Sequence, residues 1–405
     1  MNLFRTTLAV MAAAALMPAL ARAQAAVPDS TGTPPDSASS PADSAAAAAK
    51  APEKAGPGLD FSGTVFGDFQ LTTDEATKAA NGGKSPNRFD IGRAYLNFRM
   101  TAGDRASVRV TTDIKQQDGA SGTYDGWFVR LKYAYLQYDF LKSQSADGLA
   151  ATARIGMLHT VLIDHEEHFW PRYLAKVGTD ANGFFASSDL GAATQWTLPN
   201  GLGEIYGTVT NGNGYEHPES DRFKDYAVRL SLTPLGRTDG LLSTLTISPW
   251  ISQGKTESRF ATAPANPVTE GLDRNRYGVF AGLRDRRLTL GGEWARRTDG
   301  VESGATPLDR SVSNITGELY SAFAIVRPLE WGSGDGSSSV GAVARWDQFR
   351  PDRDSAGKQR FLLAGVFWEP TPKTALALDY QRTEPQDGLG GTTSENWFLH
   401  WQVNF

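Results

Sequence analysis

Every second residue at the end of this chain is large and apolar: Trp397, Leu399, Trp401, Val403 and the last residue, Phe405. Asn396, His400, Gln402 and Asn404 fill most of the positions between them. Side chains along a strand alternate between faces, so the stretch predicts a strand with one oily face and one mostly wet face. A soluble protein ending this way would leave Trp and Phe beside water. In a closed transmembrane barrel the same rings rest against lipid or at its interface. One such stave demands others, so the rest of the chain has to supply them.

The alternation recurs from Phe61 onward. Val65, Phe69 and Leu71 alternate with Thr64, Asp68 and Gln70; Val108, Val110 and Ile114 with Arg109, Thr111, Asp113 and Lys115; Leu376, Leu378 and Tyr380 with Asp379 and Gln381. Two stretches change parity midway. In Arg88–Met100, Phe89 and Ile91 lie on one parity and Ala94, Leu96 and Phe98 on the other, which a bulge near Gly92 would repair. Trp127–Phe140 slips in a similar way. Strands are expected at about 61–71, 88–100, 107–117, 127–140, 150–158, 189–198, 202–211, 223–233, 242–252, 275–284, 287–297, 313–326, 339–349, 360–369, 373–382 and 395–405. That is roughly sixteen, an even number, as single-chain bacterial barrels require.

The connections keep the same rhythm. Thr101–Ala106, Pro199–Gly201, Pro234–Gly240, Asp285–Arg286 and Pro370–Pro372 are short. Their alternates, Thr72–Asn87, His159–Ser188, Gly212–Arg222, Gln253–Arg274 and Thr383–Ser394, are longer and rich in Gly, Asp, Glu and Asn. Outer-membrane barrels have short periplasmic turns and long outer loops. Arg327–Ser338 breaks the rhythm, being long where a short turn is expected. The fold class read from these patterns is all-β: a transmembrane antiparallel barrel of about 16 strands, its third outer loop folded inward.

Composition removes several alternatives. Beyond the N-terminus no run approaches about 18 apolar residues, so helical membrane spans are not expected. The 42 glycines, 20 phenylalanines, 12 tyrosines and 10 tryptophans suit strands and tight turns. With no cysteine, neither a disulfide framework nor a thiolate metal site can form. A net charge of −5 argues against nucleic acid as a partner. Residues 1–23 read as a secretory signal peptide: Arg5, an apolar stretch from Leu8 to Leu20, then Ala21-Arg22-Ala23 as a cleavage site. Residues 24–58, rich in Ala, Pro, Ser and Asp, are expected to be a disordered periplasmic segment, followed by the barrel over 59–405.

The longest connection, His159–Ser188, is the third outer one and carries Asp164-His165-Glu166-Glu167-His168-Phe169-Trp170-Pro171-Arg172-Tyr173. A barrel of this size leaves an aqueous lumen that an inward loop could narrow. Its charges would then select by size and sign. Candidate lining and constriction residues are Arg93, Arg99, Arg109, Lys115, Arg154, Asp164, Glu166, Glu167, Arg172, Lys176, Arg276 and Arg284. Arg229, Arg287, Arg345, Asp68, Asp113, Glu204, Glu293, Asp347 and Asp379 share their parity; charges are costly against lipid, so these are expected on a solvated inner wall. His165 and His168 are three apart rather than four, so they do not form the His-Glu-x-x-His zinc pattern, and no metal or other cofactor is expected. Trp170, Tyr173, Phe184 and Phe185 are expected to pack the loop.

Three segments carry a family resemblance: Arg88-Phe89-Asp90-Ile91-Gly92-Arg93-Ala94-Tyr95-Leu96, Tyr133-Ala134-Tyr135-Leu136-Gln137-Tyr138 and Arg154-Ile155-Gly156-Met157. In these the chain resembles the phosphate-selective porin O and P family of outer-membrane channels. The resemblance implies a sixteen-stranded homotrimeric porin taking up anions along a ladder of arginines and lysines. The third loop departs from that pattern. It sets Asp164, Glu166, Glu167 and Asp180 against Arg172 and Lys176, so a general or weakly anion-preferring channel fits better than a phosphate filter.

The leading functional reading is therefore passive diffusion of small hydrophilic solutes, anions among them, across the outer membrane. The expected partners are that bilayer, the solutes, and the assembly machinery that reads a last strand ending in Phe405. The alternatives are a structural or adhesive barrel without an open pore, a barrel enzyme, and a soluble secreted β-protein. None of His159, His165, His168, His217 and His400 sits in a recognisable triad motif, which disfavours the enzyme.

Overall fold

The computed structural model describes residues 58–117, 126–143, 145, 148–331 and 339–405. The signal peptide, nearly all of the 24–58 segment and residues 332–338 lie outside them. The described strands form a closed antiparallel barrel in which each of sixteen staves pairs with its sequence neighbours. They are β1 (Leu59–Thr72), β2 (Asn87–Thr101), β3 (Ala106–Gln117), β4 (Gly126–Leu141), β5 (Ala150–His159), β6 (Ser188–Leu198), β7 (Gly203–Thr210), β8 (Asp225–Leu232), β9 (Thr246–Thr256), β10 (Leu272–Arg284), β11 (Leu288–Ser303), β12 (Ser311–Val326), β13 (Ser339–Arg350), β14 (Lys358–Thr371), β15 (Thr374–Gln386) and β16 (Ser394–Asn404). β1 pairs with β16 from Thr64–Asn404 to Thr72–Asn396. Reciprocal backbone bonds between Gly63 and Phe405, 2.9 and 3.0 Å, carry the seam to the last residue. Closure leaves no bare sheet edge, which is what a sheet in lipid requires.

The outer surface is apolar. Val129 is 67% exposed, Ile155 63% and Leu399 50%, with Trp397, Val403 and Phe405 on the same outward face of β16. The two parity changes are bulges. Phe66 pairs with Arg93 and Asp68 with Asp90, so the single residue Gly67 faces both Ile91 and Gly92. On the other side, Thr111 pairs with Tyr133 and Thr112 with Leu131, so Lys132 is an extra residue. Lys132 and Tyr133 both turn inward as a result, while Leu131 before them and Leu136 after them face out.

Connections 102–105, 285–287 and 372–373 are short and lie at the end where Phe405 meets Gly63, whereas 73–86, 160–187, 211–224 and 257–271 lie at the other. One stave sits later than its alternation suggested. A 3-10 turn over Leu241–Thr244, entered through Gly240 at φ 100°, delays β9 to Thr246 and lengthens what reads as a short turn.

The inner face is drier than its polarity suggests. Arg229, Glu204, Arg345, Asp347, Asp379 and His400 are each less than 10% exposed. His400 Nε2 lies 3.0 Å from Asp379 Oδ2 instead of facing open water. The third loop covers them.

Candidate functional site: the inward third loop

β5 ends at His159 and the chain turns into the barrel. Val161, Leu162 and Ile163 are fully buried there. Only two short helices follow, Ile163–Glu167 and Gly178–Ala181, so much of this backbone has no internal hydrogen-bond partner. A buried carbonyl without a donor is costly. The barrel wall supplies the donors. Arg229 donates to the Val161 carbonyl, Arg284 to His168 (2.6 Å), Gln381 to Leu174 (3.0 Å), Arg345 to Lys176 (2.5 Å), Arg297 to Asn182 (2.7 Å) and Arg276 to Phe184 (3.3 Å). These arginines serve the loop first. That is why several positions that read as solvated wall are buried.

Apolar contacts seat the loop between those bonds. Trp170 is fully buried, its ring centroid 5.1 Å from that of Phe323. Phe169 packs on Phe280 at 5.2 Å and Phe184 on Phe349 at 6.2 Å. Gly282 of β10 makes room for Phe169: a Cβ there would lie 2.7 Å from its ring. The aromatic residues of the loop are packing residues.

Two buried polar contacts hold the first helix. His165 Nε2 lies 2.9 Å from Ser248 Oγ; burial, then the Arg229 guanidinium, keep this imidazole well below its ordinary value and so neutral. Glu166 accepts from Thr179 Oγ at 2.6 Å and hydrogen-bonds to Glu293 of β11. Two carboxyls can share a hydrogen bond only if one keeps its proton. Burial pushes Glu166 up to about 7, against the downward pull of its bonds to Glu293 and Thr179.

Cavities lie in the lumen on both sides of the loop. The inner, of about 320 Å³, is lined by Asn97, Arg109, Lys132, Glu167, Arg284, Arg327 and the Pro372 turn, among others. The outer, of about 370 Å³, is lined by Arg93, Lys115, Lys176, Tyr215, Glu216 and Arg276, among others. Arg172 lines both. Its Nε lies 3.3 Å from Glu167 and its Nη1 3.1 Å from Asp180. Burial opposes its charge, but those carboxylates outweigh it and hold the guanidinium above its ordinary value.

The candidate residues therefore divide. Arg93 lies 3.6 Å from buried Asp113, and Lys115 meets Glu216 at 2.5 Å, on the outer side. Lys176 is half exposed there and bonds Asp180 at 3.2 Å. Arg276 pairs with Asp299 at 2.6 Å. Glu167 lines the inner cavity. Arg109, bonded to Asn97 and Thr111, approaches His159 at 3.3 Å on that side, and Asp164 lies 3.1 Å from the same imidazole. Arg284 closes the inner group beside His168. Three candidates stand apart. Glu166 is 2% exposed and acts as an anchor. Arg154 bonds Gln137 at 2.8 Å and lies over Tyr135. Arg99 sits opposite Arg109 and Asp60, nearer the short-turn end.

Sequence reasoning passed over Lys132, whose ammonium lies 4.3 Å from the Tyr95 ring and 5.4 Å from Tyr133. It also passed over Arg130, 2.8 Å from Glu216, and Arg327 on the inner cavity. The slip in Trp127–Phe140 was the available signal for Lys132. The point of the slip decides its side, and pairing with β3 sets that point.

No family model and no curated protein matches this chain. Solved structures do. An anion-selective porin from Comamonas acidovorans is similar with TM-score 0.55 at 13% identity, over 86% of this chain and 100% of that one. The outer-membrane channel DcaP of Acinetobacter baumannii is similar with TM-score 0.54 at 13% identity, covering 87% and 99%. OmpT of Vibrio cholerae, an outer-membrane protein described in a trimer form, is similar with TM-score 0.53 at 9% identity, covering 86% and 99%. At these identities the likeness is one of fold: this chain has the architecture of the outer-membrane porins.

Proposed function

We propose that this protein is an outer-membrane porin: a water-filled channel for passive diffusion of small hydrophilic solutes, with a preference for anions. The observation that carries this reading is that Arg172 lines lumenal cavities on both sides of a loop held across the barrel by wall arginines. The preference is supported by Lys132, whose inward ammonium makes no ion pair or hydrogen bond among the described residues. Most other cations near the loop are matched: Arg93 by Asp113, Lys115 and Arg130 by Glu216, Arg172 by Glu167 and Asp180. Matched charge favours a weak, general preference over a dedicated phosphate filter.

On this reading residues 1–23 direct export and are removed, residues 24–58 remain in the periplasm, and the strand ending in Phe405 is presented to the assembly machinery. The resemblance to a protein described as a trimer supports a homotrimer. Planar-bilayer recording tests the central claim. The wild type is expected to form ion-conducting channels with reversal potentials of anion-preferring sign in a salt gradient. Deletion of residues 164–173 is expected to raise the single-channel conductance. A barrel carrying no current would favour a structural role, and cation preference would remove the anion reading.

A further inference from the structure

The connection after β7 also turns toward the lumen. Gly212 and Gly214 take positive φ, 94° and 71°, a conformation that side chains resist, and they redirect the chain there. The Gly212 amide donates to Asp189 at 2.6 Å and fixes the turn. Tyr215 and Glu216 follow and line the outer cavity. Their partners are on β4 and β3, three and four staves away around the wall. The Tyr215 hydroxyl donates to Asp113 at 2.8 Å. Glu216 Oε1 lies 2.5 Å from Lys115 Nζ and 2.8 Å from Arg130 Nη1.

Two cations from different staves thus meet on one carboxylate oxygen. Asp113 pairs with Arg130, and Lys115 with Phe128, so Lys115 and Arg130 are diagonal neighbours, about 7–8 Å apart at the backbone in regular strands. Long side chains at that spacing can close on one small anion, and a carboxylate accepts charge-assisted bonds from both. The sheet holds the two cations in place. Glu216 has no such support. Its loop is held largely by its own polar contacts: Asn213 donates to the Pro218 carbonyl and to Ser220, both at 3.1 Å, and Glu219 accepts from the Ser220 and Asp221 amides. Residues 216–220 are all exposed. A segment that buries so little apolar surface opens locally at small cost.

We propose that Lys115 and Arg130 bind the carboxylate of a small permeating acid, and that Glu216 occupies this site as an internal competitor until its loop lifts. The side chain already seated there is a carboxylate, and it identifies the class of ligand the two cations fit. The passage of the acid rests on the channel reading above; its binding does not. A site that is open for only a fraction of the time has its affinity reduced by that fraction. A loop closed for about nine-tenths of the time therefore weakens binding about tenfold.

The test uses full-length protein in mild detergent, with trifluoroacetate as probe, its fluorine line broadening as readout and trifluoroethanol as the uncharged control. E216Q is expected to bind trifluoroacetate about tenfold more tightly than wild type. Y215F, which frees the loop from Asp113 without changing any charge, is expected to shift affinity in the same direction. K115Q/R130Q is expected to abolish the binding, with or without E216Q. E219Q removes a carboxylate of the same loop that bonds Lys224 instead of the two cations, and is expected to bind as wild type does. Equal affinity in wild type and folded E216Q overturns the proposal. If E216Q does not fold, an unchanged affinity in Y215F overturns it instead. A gain in E219Q as large as that in E216Q means a long-range field effect and refutes the competitor, and binding that survives in K115Q/R130Q refutes the site. Trifluoroethanol bound as tightly as trifluoroacetate refutes recognition of the carboxylate. Bilayer current is recorded separately: its absence removes the channel reading and leaves the binding comparison to decide the site.

Discussion

Glu167 and Arg172 face each other across 3.3 Å on the inward loop, where Arg172 lines both the inner and the outer cavity. Asp180 holds the same guanidinium from the other side at 3.1 Å. The loop between the two cavities therefore carries one largely buried cation between two carboxylates, in a setting where charges are felt strongly. Replacing Arg172 by Gln leaves two carboxylates unmatched. The expected result is a shift toward cations on the order of 1 kcal/mol, or about fivefold in the anion-to-cation permeability ratio, read from reversal potentials.

Lys132 gives a complementary test. Lys132→Met keeps the chain length, and so the bulge, but removes the ammonium from the inner cavity. The protein should still fold, seen as unchanged heat-modifiable mobility, while anion preference falls. An unaltered reversal potential would show that this charge does not act on permeating ions.

The loop's anchorage should depend on pH through Glu166. Its carboxyl is raised from the ordinary value of 4.5 to about 7 by burial, so folding favours the protonated form. The stabilisation is complete below about pH 4.5 and is lost as pH rises through about 7. Amide exchange in residues 160–187 should quicken over that interval. Glu166→Gln, which cannot ionise, should flatten the profile; a wild-type rate that stays constant from pH 4.5 to 7 would contradict the assignment.

Arg345 ties β13 to the loop. It donates to Asp347 at 2.5 Å and to the Lys176 carbonyl at 2.5 Å, and both side chains are nearly inaccessible. Arg345→Met strands a buried carboxylate and should cost roughly 3–5 kcal/mol in urea unfolding. Adding Asp347→Leu should recover much of that loss, because the orphaned charge goes with it. Recovery of stability without recovery of conductance would separate the loop contact from the wall contact.

The barrel itself was legible in the chain because lipid is a uniform solvent. It asks only that every second residue be apolar, and that period is local. Phe89, Ile91, Ala94 and Leu96 therefore disclose both the stave and the bulge at Gly92 without reference to any other strand. The inward loop was readable from its length and place in the rhythm of connections. What its charges do was not readable. Glu166 looks like a lining residue and is an anchor, because Thr179 and Glu293 lie against it. Lys132 was invisible because one extra residue in β4, positioned by pairing with β3, turns it inward.

Period-two patterning, an even set of staves and alternating connection lengths belong to the sequence, since each follows from neighbours a few residues apart and from the solvent they face. Which arginines line the lumenal cavities and which serve buried carbonyls was decided by tertiary structure. Gln381 meets Leu174, and Arg345 meets Lys176, across sequence separations of 207 and 169 residues. No local pattern encodes those meetings; they arise when the sheet closes and the loop's backbone needs donors that only the opposite wall can provide.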